Sequence, residues 1–176
     1  MHVQEYGRFA LGNDRYVTVS RFNGNLLVHI RQYQQNGKGG SYPTKIGITL
    51  SPSRFMTLLS FVDTIKSNVE RLRNREQNVT CKLHLGGGIF VSISGDYLAV
   101  NIRRFFQPEG EITPHPTKKG LALRLSEWDN LTAQLQAIEK LIDSDERPCF
   151  ESHLSPVTRF HCKECNPFMS YFIQNY

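Results

Sequence analysis

The sequence has no run approaching the roughly 20 consecutive apolar residues that a membrane-spanning helix requires. Its opening residues, Met1-His2-Val3-Gln4-Glu5-Tyr6, lack the cationic head and apolar stretch of a secretory leader. Both absences point to an intracellular chain without a membrane partner. In that setting the Asn78-Val79-Thr80 and Asn130-Leu131-Thr132 sequons are coincidental rather than glycan acceptors. Cysteine is scarce, with four in 176 residues, and such cysteines in an intracellular chain read as thiols or metal ligands rather than a disulfide framework. Catalytic signatures are missing as well. Through residue 147 there are no paired carboxylates, no nucleophile motif and no metal-hydrolase spacing. The one nucleophile-like pair, His161-Cys162, is adjacent in sequence, so its side chains point apart. Lys38-Gly39-Gly40 lacks the Ser/Thr and the strand-loop-helix context of a phosphate cradle. The chain therefore reads as a non-enzyme that calls for no cofactor.

What the chain does have is charge, unevenly placed. Residues 1–79 carry eleven Lys/Arg against five Asp/Glu, residues 80–147 eight against nine, and the remainder two of each. A basic first half suits an anionic partner such as nucleic acid.

The chain also repeats itself. Leu11-Gly12 returns as Leu85-Gly86 and Tyr16-Val17-Thr18-Val19 as Phe90-Val91-Ser92-Ile93, both at an offset of 74. Leu26-Leu27-Val28-His29-Ile30-Arg31 returns as Leu98-Ala99-Val100-Asn101-Ile102-Arg103 at an offset of 72, so two residues are lost from the intervening turn. Lys45-Ile46-Gly47-Ile48-Thr49-Leu50 answers Lys118-Lys119-Gly120-Leu121-Ala122-Leu123, and Phe55 answers Trp128, both at 73.

Each copy predicts the same elements. Short β-branched and aromatic runs are broken by Phe22-Asn23-Gly24-Asn25 in one copy and Ser94-Gly95-Asp96 in the other, both hairpin signals. A third strand pairs with a fourth, 46–50 or 119–123, and a helix follows. Ser51 is a suitable N-cap with Pro52 at the first helical position. Phe55, Leu58, Leu59, Val62, Ile65 and Val69 share one helical face. In the second copy Trp128, Leu131, Leu135, Ile138, Leu141 and Ile142 do so, with no comparable cap. Gly86-Gly87-Gly88 permits a bend entering the first strand of that copy. The fold class is α+β: two β-β-β-β-α modules, residues 7–75 and 80–147, packed as an intramolecular pseudo-dimer, with a C-terminal tail of 148–176. A single module of this size is marginal alone, and two would cover each other's apolar faces.

The run Arg15-Tyr16-Val17-Thr18-Val19, Phe22-Asn23-Gly24, Leu27 through Tyr33 and Lys45 through Pro52 resembles the positive cofactor 4 family of transcriptional coactivators. The second copy is similar through Val100 to Phe106, Pro108-Glu109-Gly110-Glu111 and Lys118-Lys119-Gly120-Leu121 with Trp128. The resemblance implies dimerisation through the helices and adjoining sheet surface, strand-borne basic and aromatic side chains that bind single strands, and nuclear work alongside the transcription machinery. Carried over residue by residue, it implies contacts from Arg15, Phe22, Arg31 and Lys45 in the first copy, and from Arg103, Phe106, Lys118 and Lys119 in the second. Arg21, Tyr33 and Arg104 complete the candidate set. Two turn lysines of the family are Asn23 and Asn25 here, and the aromatic ending the third strand is Gln34. The second copy lacks the base that matches Arg15, having Gly87 and Ile89 there.

Strand alternation supports the same surface: His29, Arg31 and Tyr33 share one face, as do Asn101, Arg103 and Phe105. Phosphate-neutralising bases beside aromatic faces are what single-strand binding needs. The expected partner is single-stranded or melted DNA, with RNA or duplex DNA also open. The second expectation is a protein-interaction module that has shed DNA binding.

In the tail, Cys149, His153, His161, Cys162 and Cys165 cluster, with a two-residue gap inside Cys162-Lys163-Glu164-Cys165. That pair is half a zinc site, with Cys149 and His153 available to complete it. A redox-active pair and unligated thiols are the alternatives, and the metal is left open. The apolar finish, Phe168 to Ile173, suits docking on the body or on a partner.

Overall fold

The computed structural model describes residues 3–143 and 145–169. Among them, eight strands form two antiparallel sheets, each with four strands in chain order. The first sheet holds β1 (Val3–Gly12), β2 (Arg15–Phe22), β3 (Asn25–Gln35) and β4 (Ser41–Leu50), followed by helices α1 (Pro52–Ser60) and α2 (Val62–Arg73). The second holds β5 (Thr80–Gly86), β6 (Ile89–Ser94), β7 (Ala99–Phe106) and β8 (His115–Arg124), followed by α3 (Leu125–Glu139). This is the expected α+β class with four strands and then helix in each module. The tail adds a 3₁₀ turn, Cys149–Ser152, and a short helix α4, Pro156–His161. No helix among the described residues is long and apolar enough to cross a membrane.

Period-two alternation gives each sheet one apolar face. Val17, Val19, Val28 and Ile30 are fully buried in the first sheet, as are Ile89, Val100 and Ile102 in the second. The helices lay Phe55, Leu58, Ile65, Trp128, Leu131 and Ile138 onto those faces, and one continuous core joins both modules. The helices bridge the modules: α3 packs on β1 as well as on its own β7 and β8, and α1 on β5 as well as on its own β3 and β4, while β4 runs beside β8. Each helix thus helps to close both sheets, and the two modules pack as the expected pseudo-dimer.

Local chemistry sets the helix starts. The Ser51 side chain accepts from the Arg54 N–H at 3.3 Å, with Pro52 at the first helical position. Lacking such a cap, α3 uses Glu127, whose carboxylate accepts the Arg124 N–H at 2.9 Å. The first helical segment breaks at Phe61, between α1 and α2.

Other details differ from expectation. A strand, β1, precedes Arg15, which therefore opens the second strand of its sheet. Gly86-Gly87-Gly88 likewise makes the β5–β6 turn rather than entering a first strand, with φ of +130°, +57° and +84° that favour glycine. The two-residue loss shortens the hairpin rather than its turn. Asn23-Gly24 (φ +49° and +83°) joins the longer β2 and β3, whereas residues 95–98 join the shorter β6 and β7. Leu141 and Ile142 lie beyond the end of α3, though both pack against the core. Ser170 to Ile173 of the apolar finish lie outside the described residues.

Candidate nucleic-acid interface

The face of the first sheet away from its helices is an open groove of about 490 Å³, lined by residues that include Arg8, Thr18, Phe22, His29, Arg31 and Tyr33. Arg31 sits at its centre and donates to the Thr44 carbonyl at 2.9 Å and to Thr49 Oγ1 at 3.2 Å. Pairing jumps from Arg31–Gly47 to Tyr33–Pro43, so β4 bulges over residues 44–46. The Thr44 hydroxyl ties the bulge down, donating to the Gln32 carbonyl at 2.9 Å and accepting the Ile46 N–H at 3.2 Å. Lys45, in the bulge, is exposed.

His29 bridges two hydroxyls, Ser20 Oγ at 3.1 Å and Thr49 Oγ1 at 3.0 Å. Burial, reinforced by the Arg31 guanidinium, lowers its pKa below the usual value. Tyr33 is buried but stands apart from the core. Its ring meets Tyr16 edge-on at 5.1 Å, and the Arg8 guanidinium lies 4.8 Å above it. Glu5 holds Arg8 with a bidentate pair at 3.0 and 2.9 Å and raises its pKa. The guanidinium is thus the outermost layer of a cation–tyrosine stack.

Residues 9–61 match the family Transcriptional Coactivator p15 (PC4). That family consists of nucleic-acid-binding transcriptional coactivators. The match runs from within β1 through the end of α1, and so takes in the strands that form this groove. The coactivator-like segment therefore lies in the more basic part of the chain.

The second sheet reproduces the arrangement in detail. Arg103 donates to the Thr117 carbonyl at 2.8 Å and to Asn101 Oδ1 at 3.3 Å. The pairing jump recurs from Arg103–Gly120 to Phe105–Pro116. Thr117 donates to the Arg104 carbonyl at 2.8 Å and accepts the Lys119 N–H at 3.1 Å, with Lys118 and Lys119 exposed. Lys82 lies 4.3 Å above Phe105 and 4.7 Å above Phe90, and the two rings meet edge-on at 5.0 Å. Burial lowers the pKa of Lys82 and pushes that of His84 down to about 4. Consistently, neutral His84 accepts the Gly88 N–H on Nε2 at 3.0 Å.

Arg8 and Lys82, with Tyr16 and Phe90, are thus matched partners that the sequence reading did not single out. The offset of 74, continued back from Tyr16 and Phe90 to Arg8 and Lys82, would have found them.

Other candidates hold the fold together. Arg15 and Arg21 lie on the Val17–Val19 face of β2, away from the groove. Arg15 pairs with the buried Glu127 at 2.9 Å and donates to Gln32 at 2.9 Å. Arg21 donates to the Gly24 carbonyl at 2.7 Å and pairs with Asp143 at 3.4 Å. Arg104 donates to the Gly87 carbonyl at 2.9 Å, fastening the glycine turn. Phe22 lines the far end of the first groove. Its position has no counterpart in the shortened second hairpin. Phe106 is half-exposed at the end of β7, with its ring centroid 6.4 Å from that of His115.

The two faces differ in access. The tail, α1 and β5 enclose a cleft of about 460 Å³ that reaches Lys82, His84 and Phe90 on one side and Cys149, Phe150 and Arg159 on the other. Cys149, His153, Cys162 and Cys165 converge within the tail, whereas His161 is exposed outside that cluster.

Proposed function

We propose that the chain is a non-enzymatic nucleic-acid-binding protein that engages single-stranded or melted DNA and acts in the nucleus as a coactivator-like regulator of transcription, with transcription-machinery proteins as further partners. In this reading residues 7–75 and 80–147 are two coactivator-like repeats fused into a pseudo-dimer, and 148–176 is an appended tail. The observation that carries it is the first groove, lined by Arg31, by the Arg8 layer over Tyr16 and Tyr33, and at its far end by Phe22. Guanidinium groups neutralise phosphates and stack on bases, and each stacked base contributes about 1–3 kcal/mol. Lys45, Lys118 and Lys119 would extend the phosphate track from the bulges, with Phe106 offering a further ring.

Fluorescence anisotropy with matched single strands, duplexes and bubbles tests the proposal. Micromolar or tighter binding to the single strand is expected at low salt, weakening steeply as salt rises. A flat anisotropy trace at low salt would sink it. A second reading, a protein-interaction module without DNA binding, is favoured by the engagement of Arg15, Arg21 and Arg104 inside the fold and by Asn23, Asn25 and Gln34. It predicts that same flat trace together with capture of a polymerase or activator surface.

A further inference from the structure

At one break in the pseudo-symmetry of the modules, the tail fills the gap. At an offset of 73, Arg54 on α1 occupies the position of Glu127 on α3. Glu127 faces the β1–β2 turn of the first module, where it takes hydrogen bonds from Asn13 at 2.8 Å and Arg15 at 2.9 Å. Arg54 faces the corresponding β5–β6 turn, where a Cβ on Gly87 would strike its guanidinium. No arginine answers Arg15 there, so the charge pattern is inverted and lacks its acid. Glu164 of the tail supplies it, meeting Arg54 in a bidentate pair at 2.5 and 2.9 Å while its carbonyl accepts the Gly87 N–H at 2.8 Å.

Glu164 lies between two cysteines, in a segment with little apolar packing of its own. No residue of 149–164 is fully buried. What draws the segment together is the convergence of four side chains, Cys149, His153, Cys162 and Cys165. One ligand atom from each lies within 4.8 Å of the others. Cys149 Sγ is 3.8 Å from both Cys162 Sγ and His153 Nε2, and His153 Nε2 is 3.2 Å from Cys165 Sγ. A tetrahedral zinc with Zn–S of about 2.3 Å and Zn–N of about 2.0–2.1 Å requires S···S edges of about 3.8 Å and S···N edges of about 3.6 Å. Those three edges match the required lengths to within about 0.4 Å, and all four ligand atoms lie within 4.8 Å of one another. The Asn166 N–H donates to the Cys162 carbonyl at 2.7 Å and closes the Cys162–Cys165 turn. Asn166 itself is buried and donates to the Phe160 carbonyl at 2.8 Å.

We propose that Cys149, His153, Cys162 and Cys165 bind one zinc ion in a closed, structural Cys₃His site that holds Glu164 against Arg54 and so locks the tail across the two modules. Four protein ligands leave no open position, so the ion is structural rather than catalytic. On binding, each thiol loses its proton to solvent and the imidazole ligates as the neutral base, so affinity falls as pH is lowered.

The full chain, reduced and stripped of metal, is titrated with zinc alone and separately with Co²⁺ alone. One equivalent of zinc should bind. Co²⁺ should give a tetrahedral ligand-field spectrum with thiolate charge-transfer bands, lost on back-titration with zinc. Cys162→Ser and Cys165→Ser should abolish stoichiometric binding, whereas Cys81→Ser, outside the cluster, should retain it. Metal removal should also expose residues 148–169 to limited proteolysis while leaving residues 3–143 resistant. The wild-type cobalt spectrum decides the question even if a serine variant fails to fold. No zinc uptake by the reduced chain, an octahedral spectrum, or uptake unchanged in Cys165→Ser would each overturn the proposal. Because none of these readouts involves nucleic acid, the result is separable from that of the DNA-binding test.

Discussion

Gly47 faces Arg31 across β3 and β4, and a Cβ placed there would sit 2.5 Å from the Ile30 carbonyl oxygen. Gly120 faces Arg103 in the same way, with its Cβ directed at the Ile102 carbonyl. Each glycine lets the two strands close tightly just before the bulge, and the bulge carbonyl then anchors the arginine. Gly47→Ala should destabilise the protein by about 1–3 kcal/mol, an overpacking cost, and should weaken single-strand binding by displacing Arg31. Chemical denaturation and anisotropy on the same variant check both effects. A second residue-scale expectation concerns His29. Its folded pKa lies below the ordinary 6.5, so the unfolded chain takes up this proton at higher pH than the folded chain does. The contribution to stability is therefore complete above about pH 6.5 and is lost as pH falls through the window below it. The stability difference between wild type and His29→Gln should be largest at pH 7–8 and shrink towards pH 5. A difference that does not vary with pH would show that His29 titrates normally.

At the scale of elements, the bridging of the modules by α3 is held by polar clamps as well as by the core. The α3 residues Asn130 and Gln134 donate to the Leu11 and Ala10 carbonyls of β1 at 2.7 and 2.9 Å. Glu127 accepts from Asn13, from Arg15 and from its own helix start, and it is essentially inaccessible to solvent. Removing one member of a buried ion pair costs about 3–5 kcal/mol. Arg15 retains some access to water, so Glu127→Ala should fall near the lower end of that range. A double-mutant cycle with Arg15→Ala should show strong coupling, and additive losses would refute the clamp. This clamp marks where sequence reasoning stopped. The strands, the Ser51 cap and the repeat were legible because alternation, turn chemistry and spacing are local. Arg15 was legible as a base but not as a partner of Glu127, since the two are 112 positions apart and only the packing of α3 on the first module brings them together. The Cys/His group was legible as a possibility because its ligands are close in sequence. The role of Glu164 was not, because it depends on Arg54 lying across the fold.

For the whole molecule, a core continuous through both modules predicts one cooperative unfolding transition, and the two faces predict unequal binding. Both third-strand arginines are anchored alike by a bulge carbonyl, so a symmetric protein would lose equally from either substitution. Symmetry fails in three places. The first module is the more basic, its longer hairpin keeps Phe22 at the end of the groove, and its face is open. On the second face, Lys82, His84 and Phe90 adjoin a cleft partly walled by the tail. A strand following the first groove can therefore meet Arg31, the Arg8 layer and Phe22 in succession, whereas one on the second reaches Arg103 beside partly covered rings. Arg31→Ala should accordingly weaken single-strand binding about tenfold, or ~1.4 kcal/mol, and lower the salt slope by about 0.7 if one phosphate contact is lost. Arg103→Ala should cost distinctly less under the same conditions. Equal losses from the two substitutions would mean that both faces carry DNA alike and that the tail leaves the second one accessible.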